Sequence, residues 1–193
     1  MILDPAAAIR DFQAAAKDAR EVSAGLTELQ FHWRPGPEKW SIGECLGHLN
    51  SAWGVLPRFD RRIAQGREKG LSGAGPFRAS FFGGLYIRSI QPPVRFRLPS
   101  PLLYRPPPDT KIEEVLPRFL ELQEELQKRV EDSHGLDLGR LRLSSPVTRR
   151  FKMSLIEWFA FLAAHQRRHL WQARKVREHP HFPAMDPKAE GRP

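Results

Sequence analysis

A single cysteine, Cys45, stands among 193 residues, so no disulfide can close within the chain and the fold must be held by its core. Such cysteine usage agrees with a reducing compartment. No apolar run approaches the roughly 18 residues that span a bilayer, and no membrane association is expected. The opening residues Met1-Ile-Leu-Asp-Pro5 lack the basic and apolar regions of a secretory signal, which makes a cytoplasmic location the expectation. No sustained apolar-polar alternation marks a strand, no segment repeats, and no nucleophile elbow supports a Ser-His-Asp triad.

What the chain does contain is ordinary for a globular protein: 40% hydrophobic and 27% charged residues, enough to bury a core. Its length suits one domain, since single cores commonly organise on the order of 100 to 200 residues. We expect that domain over residues 1–179, followed by a mobile Pro- and charge-containing tail over 180–193. The formal charge of +9 raises nucleic acid or another polyanion as a partner. The basic residues are scattered, however, among them Arg58, Arg61 and Arg62, Arg95 and Arg97, Arg149 and Arg150, and Arg167 and Arg168. They carry no interleaved aromatic ladder, so a solvated surface is favoured and nucleic acid is not.

Four stretches carry a helical period. Asp4-Pro5 supplies an N-cap and a first-turn proline, and Ile9, Phe12, Ala16, Ala19, Val22 and Leu26 continue one stripe, predicting a helix over about 5–30. After the turn-rich Trp33 to Trp40, Ser41-Ile-Gly-Glu44 has the form of a capping box. Cys45, His48, Ala52, Val55 and Phe59 then share a face that Pro57 should kink or end. Residues 66–109 are Gly- and Pro-rich, a connection too long to be idle and read as a lid or crossover, with a short helix at the island Phe81–Ile87. A third helix is predicted from a capping box at Thr110-Lys-Ile-Glu113 to His134-Gly135. Residues 141–150 read as linker. Ser154-Leu-Ile-Glu157 then caps a fourth helix with the stripe Trp158, Leu162, His165, His169 and Val176, ending near Arg177 to His179 before Pro180. The fold class expected is all-α, a four-helix bundle with one long crossover.

His165-Gln-Arg-Arg-His169 places two imidazoles one helical turn apart, the spacing that lets both reach one metal. Both fall on a core stripe, where an unpaired polar ring is costly. His48 interrupts the apolar stripe of the second helix in the same way. Three core-facing histidines on two helices make a three-imidazole ligand set with an open position for water, as catalytic zinc sites have. A single buried histidine more often bonds backbone or a carboxylate; three together favour the metal. Glu44 is explained as a cap and Cys45 as a buried apolar residue, with ligand roles as the lesser alternatives. His32, His134, His179 and His181 fall in turns or the tail, and Trp40 and Trp171 could serve core or pocket.

Two segments carry a family resemblance, Glu38-Lys-Trp-Ser-Ile-Gly-Glu-Cys-Leu-Gly-His-Leu49 and Ala163-Ala-His-Gln-Arg-Arg-His-Leu-Trp-Gln172. With the helix order, the chain resembles the DinB-like superfamily over residues 5–179. That resemblance implies a four-helix bundle with one crossover, a divalent metal on His48, His165 and His169, and a homodimer. Relatives include bacillithiol-type thiol transferases and a mycothiol-dependent isomerase, so a low-molecular-weight thiol is the small-molecule partner implied. Neutral imidazoles accept zinc, nickel or iron, with zinc or nickel favoured here. The reaction is open between a thiol S-transferase and a hydrolase, and the catalytic residues are not named by the sequence. Two other readings stand beside it: a basic polyanion-binding module, and a non-catalytic bundle whose metal is structural.

Overall fold

The first helix, α1 (Pro5–Ser23), begins as the sequence dictates, with Asp4 accepting the Ala6 amide at 3.0 Å and Pro5 in the first turn. This computed structural model describes residues 1–93, 110–144 and 151–184. α1 does not run to residue 30. Gly25 turns the chain with φ of 67°, a conformation glycine adopts at no steric cost. Thr27 and Gln30 then form their own capping box to open α2 (Glu28–His32).

Ser41 and Glu44 cap α3 (Ile42–Leu49) reciprocally, at 2.9 and 3.1 Å. Gly43 lets α3 lie against the Phe31 ring, because a Cβ there would meet Phe31 Cε1 at 2.7 Å. The helix tightens into a 3-10 turn over Asn50–Val55, and Pro57 sits in the first turn of α4 (Leu56–Glu68). Proline therefore starts a helix here; the expected interruption falls seven residues earlier, at Asn50.

The predicted island is the helix α5 (Phe81–Ser89). α6 (Ile112–Asp132) begins without the expected Thr110–Glu113 box: Lys111 holds the cap position with no side-chain bond, and Glu28 from α2 accepts the Ile112 amide at 2.9 Å. α7 (Leu155–Arg177) opens on the Ser154–Glu157 capping box.

Strands were not anticipated, yet two short antiparallel pairs form. β1 (Ile2–Leu3) pairs with β2 (Phe77–Arg78), and β3 (Arg142–Ser144) with β4 (Lys152–Ser154). The supposed linker thus begins as a strand: Leu143 and Met153 turn inward across from one another while Arg142 and Lys152 face water, a period of two too brief to stand out in the sequence. Residues 94–109, with the Arg105-Pro-Pro-Pro108 run, Arg149 and Arg150, and residues 185–193 lie outside the described residues. At the C-terminal end, Phe182 packs edge-on against Trp33 and the Pro183 carbonyl accepts from Gln30.

Helices α1, α3, α6 and α7 form the bundle, α1 and α3 each packing against both α6 and α7. Ion pairs fix two directions. Asp11–Arg167 at 2.7 Å and Asp18–Arg174 at 3.0 Å keep one residue offset along α1 and α7, so these helices run parallel. Asn50 to the Val115 carbonyl and Trp53 to the Arg118 carbonyl likewise keep one offset, so the end of α3 runs parallel to α6. Parallel neighbours cannot be joined by a short loop, and the chain from α4 to α6 is the long crossover.

The core holds two large apolar clusters and a small third one, in which Ile87 and Ile90 pack with Ala164 of α7. Of the large ones, one gathers Phe12, Phe59, Leu122, Leu126, Trp158 and Phe159; the other gathers Ala19, Phe31, Ile42, Leu46, Phe119 and Leu170. Along α7 the two large clusters are separated by residues 164–169, where the histidines lie.

The crossover is fastened to α7 by Glu157, which is 1% exposed. One carboxylate oxygen accepts from the Ser154 amide and hydroxyl at 2.7 and 2.8 Å; the other accepts from the Ser80 amide and hydroxyl, both at 2.7 Å. Burial pushes the Glu157 carboxyl up, but these bonds from Ser154 and Ser80 outweigh it and hold it below its usual 4.5. A depressed folded-state pKa contributes stability above the unfolded value and loses it as pH falls through the folded one. We predict that Glu157→Ala lowers unfolding stability by about 2–4 kcal/mol at pH 7, since charged hydrogen bonds are lost and amides left unpaired. In urea titrations, Glu157→Gln should flatten the fall in stability below pH 4.5; an unchanged acid limb would contradict the role given to Glu157.

Candidate metal centre

His48 lies in the last turn of α3, whose start is set by the Ser41–Glu44 box, and His165 and His169 lie in the middle of α7. The antiparallel course of these helices brings the three together. Nε2 of His48 is 3.2 Å from Nε2 of His165, and one ring nitrogen from each of the three lies within 4.8 Å of the others. Ring centroids are 4.7 to 5.0 Å apart. His48 and His169 are 7% and 8% exposed, while His165 is half-buried and gives the cluster its opening.

The donor set fits a divalent ion. Two Nε2 atoms at 3.2 Å cannot both carry protons toward one another, whereas two nitrogens at about 2.0–2.1 Å from a tetrahedral zinc are themselves about 3.3 Å apart. Burial, with the charges of His48 and Arg168, pushes His165 down to about 3. Burial likewise holds His169 well below the usual imidazole range, with His165, His48 and Arg168 adding and a hydrogen bond with Gln172 opposing. These rings are neutral at pH 7, so their lone pairs are open to a cation without proton competition. Among the described residues no carboxylate or thiol joins the group.

Two aromatic walls bracket it. Trp40 stacks on His169 at 5.4 Å and 20°, and tilts toward His48 at 5.0 Å. On the other side Phe161 stacks on His165 at 5.6 Å and 17°, and Tyr86 of α5 stacks in turn on Phe161 at 5.3 Å and 13°. Burial raises the Tyr86 phenol, opposed by the nearby Arg168 guanidinium, whose own pKa burial lowers. Phe161, His165, Arg168 and Gln172 follow one another by four, three and four residues and are all half-buried, so they form the single α7 face that lines the opening.

A family model for the DinB superfamily matches residues 11–173, a span that includes all three histidines of the cluster. The chain belongs to the DinB superfamily. No curated protein and no solved structure matches it significantly.

In this DinB-superfamily chain the three histidines singled out by their stripes come together. Glu44 does not join them: it caps α3 and pairs with Arg34 at 2.6 and 2.8 Å. Cys45 does not either, being fully buried in an apolar cluster, where burial pushes its thiol up. His134 and His181 are exposed, His32 pairs with Glu28 at 3.3 Å, and His179 lies against Trp33, all apart from the cluster. Trp40 is a wall. Trp171 belongs to neither wall. Tyr86 and Phe161 were missed; Phe161, four residues before His165 on one helix, carried a readable signal, whereas Tyr86 reaches the site only through the crossover.

Gly83 is what lets α5 sit there. A Cβ at Gly83 would overlap the Glu157 carboxylate, coming within 2.9 Å of its Cδ and of Ser80 Oγ. Gly83→Ala is therefore expected to destabilise the protein by about 1–3 kcal/mol through overpacking. Limited trypsin digestion should cut faster at Arg78, just before α5, and at Arg88, in its last turn; unchanged cleavage would show that α5 is not held through this contact.

Proposed function

We propose that this protein binds one divalent metal ion, zinc or nickel ahead of iron, through His48, His165 and His169, and that the site is catalytic, of the thiol S-transferase or hydrolase type. The observation that carries the reading is the convergence of three imidazoles, two of them 3.2 Å apart, with no carboxylate or thiol from the described residues completing the set. An ion held there would supply Lewis acidity toward a thiol, a water or an electrophile.

The chain's own residues supply the rest of the reading. The half-buried His165 marks the side from which a small molecule enters. Trp40 and the Phe161–Tyr86 pair keep water from two sides, which strengthens electrostatic interactions inside. Arg168 adds positive charge beside the imidazoles and favours an anionic partner such as a thiolate. An opening at one ligand favours catalysis over a closed structural site. Polyanion binding gains less support: Arg58 is committed to the Ser144 carbonyl and the Trp158 ring, and Arg62 to Gln65.

Elemental analysis of protein purified without added chelator should find one equivalent of metal. At a hundredfold excess over Kd, zinc or nickel should stabilise the protein by about 2.7 kcal/mol in thermal-shift assays. His169→Ala should lose that shift while keeping its helical circular dichroism. Absence of stoichiometric metal, together with a melting temperature unmoved by zinc, nickel or iron, would overturn the reading. A metal bound with no effect of its removal on any thiol-transfer or hydrolysis assay would reduce it to a structural ion.

A further inference from the structure

The level at which the two apolar clusters meet is polar. Asn50 lies between Leu49 of one cluster and Val55 of the other, Gln123 follows Phe119 and Leu122, and Gln166 lies between Ala163 and Leu170. Asn50 and Gln123 each donate to an α6 carbonyl, Val115 and Phe119, both at 3.1 Å. Gln166 differs: it is 1% exposed, and neither its Oε1 nor its Nε2 has a hydrogen-bond partner. Burying an amide without partners costs roughly 1–3 kcal/mol, so a glutamine at this position calls for a partner.

Its chemical complement lies three residues along the same helix. Nδ1 of His169 is also buried and without a hydrogen-bond partner. One group is an acceptor, the other a ring nitrogen able to donate, and side chains three apart on a helix are neighbours. At about 100° per residue, Gln166 stands roughly 60° to one side of His169 and His165 roughly 40° to the other. His169 therefore lies between the metal cluster and the core amide. His48 and His165 already offer Nε2 to the cluster. If His169 presents the same atom, its Nδ1 edge is left for Gln166. Gln172 reaches the ring too, but from the side of His165.

We propose that Gln166 is a positioning residue for the metal centre: its Oε1 accepts a hydrogen bond relayed from Nδ1–H of His169 across one internal water, which would partner both atoms that are unpaired in the protein itself, and thereby holds the tautomer whose Nε2 lone pair faces His48 and His165. A metal-bound imidazole is commonly oriented by such a bond from its other nitrogen, and losing it typically costs 10–100-fold in metal affinity. The proposal rests on the metal reading above, yet its central claim concerns a proton that is present without metal.

Long-range 15N NMR of histidine-labelled, metal-free protein at pH 7.5 reads that proton, and zinc competition against a chromophoric chelator reads the affinity. In the unsubstituted protein His169 should be the Nδ1–H tautomer. Gln166→Leu should move it toward Nε2–H and weaken zinc binding about 10–100-fold. Gln166→Glu, which keeps an acceptor, should preserve the tautomer and hold affinity within a few-fold, a rescue that loss of packing would not produce. Gln172→Leu should leave the tautomer as it was. An Nε2–H tautomer in the unsubstituted protein, or a Gln166→Leu variant with unchanged tautomer and affinity, would overturn the proposal. Should Gln166→Leu not fold, Gln166→Met takes its place. Protein that binds no zinc but loses the Nδ1–H tautomer on Gln166→Leu would sink the metal reading and leave the hydrogen bond standing.

Discussion

The course of the bundle rests on one pairing: the end of α3 lies alongside α6 in the same direction, as α1 lies alongside α7. Two helices that start from the same end must be joined by chain that travels the length of the bundle, and here that chain is the Gly- and Pro-rich stretch after α4. The crossover is thus a topological necessity before it is anything else. Once present, it is put to use, because it carries α5 onto α7 next to His165, and Glu157 fastens it there with two hydrogen bonds from Ser80. The wall made by Tyr86 and Phe161 thus follows from the direction in which α3 and α6 are paired.

The same arrangement explains where the polar side chains are tolerated. Apolar residues fill the bundle on both sides of the middle of α7, and the histidines and Gln166 occupy the level between. Three imidazoles crowded together would repel as cations; burial favours the neutral form of His165 and His169, which removes that repulsion. A core that would be destabilised by an isolated charge can therefore keep a cluster whose chemistry begins when a charge is brought to it.

Much of this was legible in the sequence because it is local. The caps at Asp4, Ser41 and Ser154 and the helical stripes needed only residues within a few turns of one another, and His48, His165 and His169 stood out as polar members of apolar stripes. What escaped detection is non-local or too short to show a period. Leu26 continues the spacing of α1, yet Gly25 and the Thr27–Gln30 box had already ended that helix. Thr110 and Glu113 have the spacing of a box, but Glu28, far away in the chain, serves the Ile112 amide instead. The three-residue strand at Arg142–Ser144 offers barely one full alternation. Glu157 reads as a cap and is one; its second pair of bonds is to Ser80, which only the folded crossover brings near.

Glu157 carries one further consequence. Because one carboxylate oxygen starts α7 and the other anchors α5, the wall beside His165 can lift away with the cap intact only by leaving half of a buried, ionised group without partners. Breathing of the site's edge therefore costs the partners of that oxygen without requiring the helix that bears two of the histidines to fray. The mouth of the site is consequently stiffer than its place at the surface suggests, since its local opening is set by a buried carboxylate rather than by a solvated loop.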